Sequence, residues 1–170
     1  EEGWTTQKMK VFCALAIRVP IVSTGWLEAC REEGKVVDAL EYVVKIKARD
    51  IYISPMDHIS RRQRGERPLF ADWAFYVGPC ETWARPRTAD RLKRLVECGG
   101  GELLPNFPVA SEWQQRKVAI VVDAESQQVI GKPPQGTLVV TSPFIIASVV
   151  DGPEVDPSEY AIGSGNESSG

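Results

Sequence analysis

Apolar and polar positions along this chain alternate between a helical and a strand-like period. Met9, Phe12, Cys13 and Ala16 recur at i, i+3, i+4 and i+7, so residues 5–16 predict an amphipathic helix running into a β-branched strand at Ile21-Val22. Trp26, Leu27 and Cys30 set one apolar stripe on a second helix, Gly25–Glu33, which Ser23 or Thr24 can cap and Gly34 can stop. Residues 73–79 alternate as a strand, and Leu92, Leu95 and Val96 mark a helix over 88–98 that ends at Gly99-Gly100-Gly101. Leu103-Leu104 and residues 117–123 add strands, the latter a continuous apolar run as expected in a parallel sheet buried on both faces. Residues 138–140 form a further strand. A helix follows over 143–150, with Thr141 or Ser142 as its cap and Gly152 as its stop. From Trp73 the order is strand, helix, strand, strand, strand, helix, which is a small α/β domain with a parallel sheet.

Sliding the chain on itself lays residues 20–44 over 138–162 without a gap. Val22 meets Val140, Ala29 meets Ala147, Gly34 meets Gly152, Val37 meets Val155, Asp38 meets Asp156, Glu41 meets Glu159 and Tyr42 meets Tyr160. Trp26 faces Phe144 and Leu27 faces Ile145, so size and polarity persist where identity does not. On this spacing Trp26, Phe144, Tyr42 and Tyr160 read as core. Two related modules follow. Nothing ahead of residues 5–16 corresponds to 73–104, so the first module reads as lacking an opening strand-helix-strand. The expected division is residues 1–46 for the C-terminal part of the first module and 47–68 for a linker. The linker should hold a helix starting near Ser54-Pro55 and carrying Arg61, Arg62, Arg64 and Arg67. Residues 69–162 make the second module, and 163–170, rich in Gly and Ser, a disordered tail.

Composition narrows the functions. With 43% hydrophobic and 25% charged residues the chain reads as globular, and it offers neither a span of about 20 apolar residues nor a signal-like opening, so an intracellular protein is expected. A net charge of −3 argues against nonspecific nucleic-acid binding by the chain as a whole. Cys13, Cys30, Cys80 and Cys98 form no C-x-x-C pair and read as reduced, mostly buried thiols rather than a metal or disulfide set. The single histidine, His58, has no motif partner, and the triple glycine follows a helix instead of opening one, so it reads as a turn. No catalytic residue, metal site or cofactor is expected.

The string VSTGWLEACREEGKVVDALEY resembles the last strand and helix of BRCT domains, while LFADWAFYVGP and RLKRLVECGGGELLP resemble the opening strand, first helix and glycine turn of that fold. The resemblance covers nearly the whole chain and is nearest to the tandem pairs of the PAX-interacting protein, mediator of DNA damage checkpoint and microcephalin type. It implies an α/β fold of two BRCT-like modules, each a small parallel sheet flanked by helices, the first without its opening strand-helix-strand. It also implies a nuclear adaptor of the DNA-damage response that is not an enzyme and reads a phosphoserine peptide at the seam between modules. The tail of a core-histone variant is one candidate partner.

By the resemblance, Lys10 takes the position of the family's phosphate-binding lysine, and Phe12 walls a pocket for the side chain three positions after the phosphoserine. Pro86 and Arg87 face that pocket, with Ile146 beneath. Gln7 stands where relatives carry an arginine that holds the peptide, so it can hydrogen-bond but brings no charge. The family's Ser/Thr-Gly phosphate ligands belong to the strand the first module lacks. On spacing alone a solvated helix lysine is the commoner reading of Lys10, and the resemblance reverses that order. Two other functions stay open: a phosphate-independent scaffold for partner proteins, and a lesser reading as a DNA-end binder through Arg61 to Arg67 and the basic face of Arg87, Arg91 and Arg94. That last face would equally favour an acidic, phosphorylated partner.

Overall fold

A computed structural model of the chain describes residues 6–48, 51–109, 116–129 and 131–162. The expected tail at 163–170 lies outside the described residues. The chain divides into two units, Glu1–Pro68 and Leu69–Gly170.

In the first unit the apolar stripe at Phe12 and Ala16 forms one side of α1 (Thr6–Ile17), where Phe12, Leu15 and Ala16 are buried. Helix α2 (Gly25–Glu33) ends as expected at Gly34, whose φ of 63° is the left-handed conformation that costs glycine least. Its start differs from expectation. Thr24 occupies the cap position in a helical conformation and its hydroxyl makes no capping hydrogen bond. The stripe on α2 is also not a buried one: no residue of the helix is buried, Trp26 is half-exposed and Leu27 is 63% exposed. The physical reason is the layer it faces. Among the described residues the first unit has no parallel sheet, and Val22 makes only an isolated antiparallel bridge to Val43.

Residues read from sequence as the front of a linker form a hairpin instead. β1 (Ile46–Ala48) pairs antiparallel with β2 (Ile51–Ile53), Ile46 opposite Ile53. The expected helix follows as α3 (Met56–Gln63), with His58 and Ile59 buried. Three-residue strands leave little period to detect, and the sequence between them, Arg49-Asp50, lacks the Gly that signals a favoured two-residue turn.

The second unit follows the order expected from its sequence. β3 (Trp73–Val77), α4 (Pro86–Cys98), β4 (Glu102–Leu103), β5 (Lys117–Val122), β6 (Leu138–Thr141) and α5 (Pro143–Asp151) build a four-stranded parallel sheet in the order β4-β3-β5-β6. The KVAIVV run is central, between β3 and β6, and all of it after Lys117 is buried. Helix α4 opens with Pro86 at a position where the missing N–H is no loss, and it buries Ala89, Leu92, Leu95 and Val96. As with Thr24, the hydroxyl of Ser142 makes no capping bond to α5.

The triple glycine is a turn with a packing reason. A Cβ at Gly99 would collide with the Phe70 ring, and one at Gly101 would lie 2.8 Å from Val96 Cγ1 and 2.9 Å from Phe70 Cβ. Phe70 in turn packs edge-on to Phe75, and Trp73 links Phe75 to Phe144, each at a ring separation of 5.6 Å. Phe144, Ile145, Ser148 and Val149 of α5 are all buried.

The sequence repeat is a repeat of structure, residue for residue. Helices α2 and α5 occupy matching positions 118 residues apart, as do the 3-10 turns Ala39–Tyr42 and Pro157–Tyr160. The bridge Val22–Val43 matches the bridge Val140–Ala161. The amide of Val44 donates to Ile21 O and that of Ile162 to Val139 O, both at 2.9 Å. Asp38 Oδ1 accepts from Leu40 N at 3.0 Å just as Asp156 Oδ1 accepts from Ser158 N at 2.9 Å.

Candidate functional site

Lys10 is exposed on α1, while Phe12, two residues on and across the helix, is 6% exposed. Phe12 therefore anchors the helix, and its ring offers a peptide little surface. Gln7 lies in the same helix, with its side chain outside the described part.

The C-terminal end of α1 is held by cross-ties to the segment around α3. Arg18 adopts φ 63° and closes the helix, its amide donating to Leu15 O while that of Val19 donates to Ala14 O, each at 3.0 Å. The Arg18 guanidinium is buried and donates to Glu66 O at 3.5 Å, and Arg62 donates to Ile17 O at 3.3 Å, satisfying a carbonyl the helix leaves free. Glu66 collects two further arginines, Arg64 Nη2 at 2.6 Å and Arg61 Nη1 at 3.3 Å. The hydrogen bond from Arg64 is the largest influence holding the Glu66 carboxyl below its ordinary 4.5; desolvation, next in size, opposes it, and the Arg64 charge and Arg61 add to the lowering. Arg61, Arg62 and Arg64 are therefore engaged within the unit.

In the second unit β3 and β5 lie side by side where the chain connections diverge, and the crevice at their C-terminal ends is where open α/β sheets commonly bind ligands. Here the chain itself fills it. Trp83 is buried with its Nε1 donating to Gly78 O at 3.0 Å, and Thr82 Oγ1 donates to Pro79 O at 2.8 Å. Asp123 joins the two loops: Oδ2 accepts from Ala84 N at 2.6 Å and Oδ1 from Glu125 N at 3.1 Å. An anion placed there would meet the Asp123 carboxylate, so this crevice is closed to phosphate by both volume and sign.

Of the other expected contacts, Arg87 is exposed in the first turn of α4 and Ile146 is half-buried on α5. Pro86 is the first residue of α4, its side chain outside the described part. Sequence reasoning missed the brace of Arg18 and Glu66 and the plug of Trp83 and Asp123. A buried arginine at a helix end leaves no periodic trace, whereas an Asp directly after an apolar strand is a signal that could have been followed.

Elsewhere, a shallow apolar groove of about 460 Å³ runs between Phe107, Pro108 and Val109 on one side and Lys132, Pro133 and Pro134 on the other. An open cleft of about 560 Å³ carries Glu32, Glu33, Asp38 and Glu41, and Lys35 pairs with Glu33 at 3.6 Å. The four cysteines are free and only half-buried, in place of the mostly buried thiols expected. Among the described residues no cluster of His, Cys, Asp and Glu could hold a metal ion, and no helix is long and apolar enough to cross a membrane.

Comparison with known proteins follows the same division. The family model described as BRCT domain matches residues 68–161. PAX-interacting protein 1 from Bos taurus is 30% identical over 117 residues, which are 66% of this chain and 11% of that protein. Its Mus musculus counterpart is 28% identical over 117 residues, 66% of this chain and 10% of its own length. The chain thus spans about a tenth of these relatives. In fold it is similar to the crystal structure of the S. pombe Brc1 BRCT5-BRCT6 domains, with a TM-score of 0.55 at 15% identity over 92% of this chain and 77% of that one. A parallel sheet ordered β4-β3-β5-β6, a repeat carried down to single hydrogen bonds and a family model matched over more than half the residues agree. The chain belongs to the BRCT domain family.

Proposed function

We propose that the chain is a binding module that reads a phosphorylated serine in a partner protein, with Lys10 supplying the charge-assisted contact to the phosphate. BRCT domains are in general binding modules rather than enzymes. The observation that carries the reading is Lys10 itself: exposed on a helix whose opposite side is anchored by Phe12 and whose end is tied down by Arg18 and Arg62. A lysine on a fixed helix loses less freedom on gripping an anion than one on a loose segment. Arg87 and Ile146 are proposed to contact the peptide beyond the phosphate, and Gln7 its backbone. The resemblance places such modules in the nuclear DNA-damage response, with the phosphorylated tail of a core-histone variant as one partner. Titrating matched phosphorylated and unphosphorylated serine peptides by fluorescence anisotropy tests the reading. A preference for phosphate that Lys10→Glu abolishes is expected, and equal affinity for the two peptides would overturn it.

A second reading, a phosphate-independent scaffold, is favoured by the apolar surface of the first unit, where Leu27 is 63% and Val36 81% exposed. A partner protein that stays bound after phosphatase treatment and ignores Lys10→Glu would establish it. Binding of DNA ends through Arg61 to Arg67 has less support, because Arg61, Arg62 and Arg64 already hold Glu66 and the end of α1.

A further inference from the structure

Residues 69–170 carry eight Lys and Arg against thirteen Asp and Glu, yet five of the eight cations fall within residues 85–94. On α4, Arg87, Arg91 and Arg94 recur at i, i+4 and i+7 and so share one face, opposite the buried Ala89, Leu92 and Val96. Arg87 and Arg94 are exposed and Arg91 is half-exposed.

The unit's other two arginines each have a carboxylate partner: Arg116 pairs with Glu102 at 2.6 Å and Arg85 lies 3.9 Å from Glu125. The three on this face have none among the described residues, although Asp90 and Glu97 stand at i+3 from Arg87 and Arg94. An acidic unit has thus gathered its unpaired guanidinium groups into one line about 10 Å long, from seven residues at a rise of 1.5 Å each.

We propose that this face docks an extended, Asp- or Glu-rich segment of a partner protein. In an extended strand, alternate side chains fall on one side at intervals of about 7 Å, close to the rise of about 6 Å between Arg87 and Arg91. Two or three carboxylates on one edge of the segment then meet two or three guanidinium forks, each able to grip a carboxylate with two N–H groups. The charge around the stripe selects for a short ligand. Duplex DNA bears a negative charge about every 1.7 Å and would run past the three arginines onto a unit whose remaining charge is acidic. The site shares Arg87 with the peptide contacts proposed above but needs neither Lys10 nor a phosphate, since all its members lie on α4.

The test uses the full chain and a fluorescein-labelled decapeptide alternating glutamate and serine, with a glutamine-serine decapeptide and a short blunt duplex as comparison probes. Saturable binding of the glutamate peptide that falls with rising salt, weakens about tenfold when Arg87→Gln, Arg91→Gln and Arg94→Gln are combined, and is unmoved by Lys10→Gln supports the proposal. Circular dichroism of the triple variant shows whether α4 is intact, and single substitutions with graded losses serve in its place if it is not. Equal binding of the glutamine peptide, no binding of the glutamate peptide, or tighter arginine-dependent binding of the duplex overturns it. Because Lys10→Gln leaves this readout unchanged and the peptide carries no phosphate, failure here is separable from failure of phosphoserine reading.

Discussion

The indole Nε1–H of Trp26 donates to the carbonyl oxygen of Val37 at 3.0 Å, tying α2 to the segment that leaves it. The Val37 amide completes the tie by donating to Cys30 Sγ at 3.4 Å. In the second unit the matching positions are Phe144 and Ser148, and Phe144 has no such donor; it packs against Trp73 and Tyr160 instead. The same place in the repeat is thus held by a polar tie in one unit and by aromatic packing in the other.

Trp26→Phe places the second unit's residue in the first and removes the donor. The expected cost is about 1 kcal/mol, the net value of a partly exposed hydrogen bond. Phe144→Ala, which empties a buried site, should cost about 3–5 kcal/mol. Urea midpoints followed by far-UV circular dichroism check both, and equal losses would contradict the contrast.

Glu66 sets a pH dependence. Its folded pKa lies below its ordinary 4.5, chiefly through the Arg64 hydrogen bond, so its contribution is fully present above that value and is lost as pH falls through the lower, folded one. The thermal midpoints of wild type and Glu66→Gln should therefore differ at neutral pH and converge in acid below 4.5. Curves that stay parallel would show that the carboxylate is not what holds Arg61 and Arg64.

Asp123→Ala leaves the amides of Ala84 and Glu125 without their acceptor. Hydrogen bonds to a charged acceptor are worth about 1.5–3 kcal/mol, and a loss in that range is expected together with faster hydrogen exchange at both amides. Asp123→Asn keeps an acceptor oxygen but puts an amide NH₂ in place of the other, so it should be intermediate.

The second unit is legible because β3, β5 and its helices are long enough to show a period, and the five-residue apolar run after Lys117 has one natural place, the centre of a parallel sheet. The repeat was legible for a different reason: matching identities such as Asp38 and Asp156 mark the same turn bond in each unit. What could not be read was exposure. Trp26, Leu27 and Cys30 have the spacing of a buried stripe, and spacing says which face is apolar, not whether anything lies against it. The β1–β2 hairpin escaped because three-residue strands carry too little alternation. Of the candidate residues, the helical period alone turns Lys10 outward, where it is exposed; a ligand role for Phe12 follows only from the resemblance, and at 6% exposure its ring chiefly anchors the helix.

That difference in exposure gives the sharpest comparison. Leu27 and Ile145 occupy one position of the repeat, yet Leu27 is 63% exposed and Ile145 is 0% exposed. Burial, not helix position, decides what a polar side chain costs there. Leu27→Ser should change stability by no more than about 0.5 kcal/mol, as expected for an exposed site away from caps and networks. Ile145→Ser deletes most of a fully buried side chain and leaves a hydroxyl in its place, for a loss of about 3–5 kcal/mol. Denaturant midpoints of the two variants test this directly. If Leu27→Ser proved as damaging as Ile145→Ser, the first unit would have to bury α2 in solution.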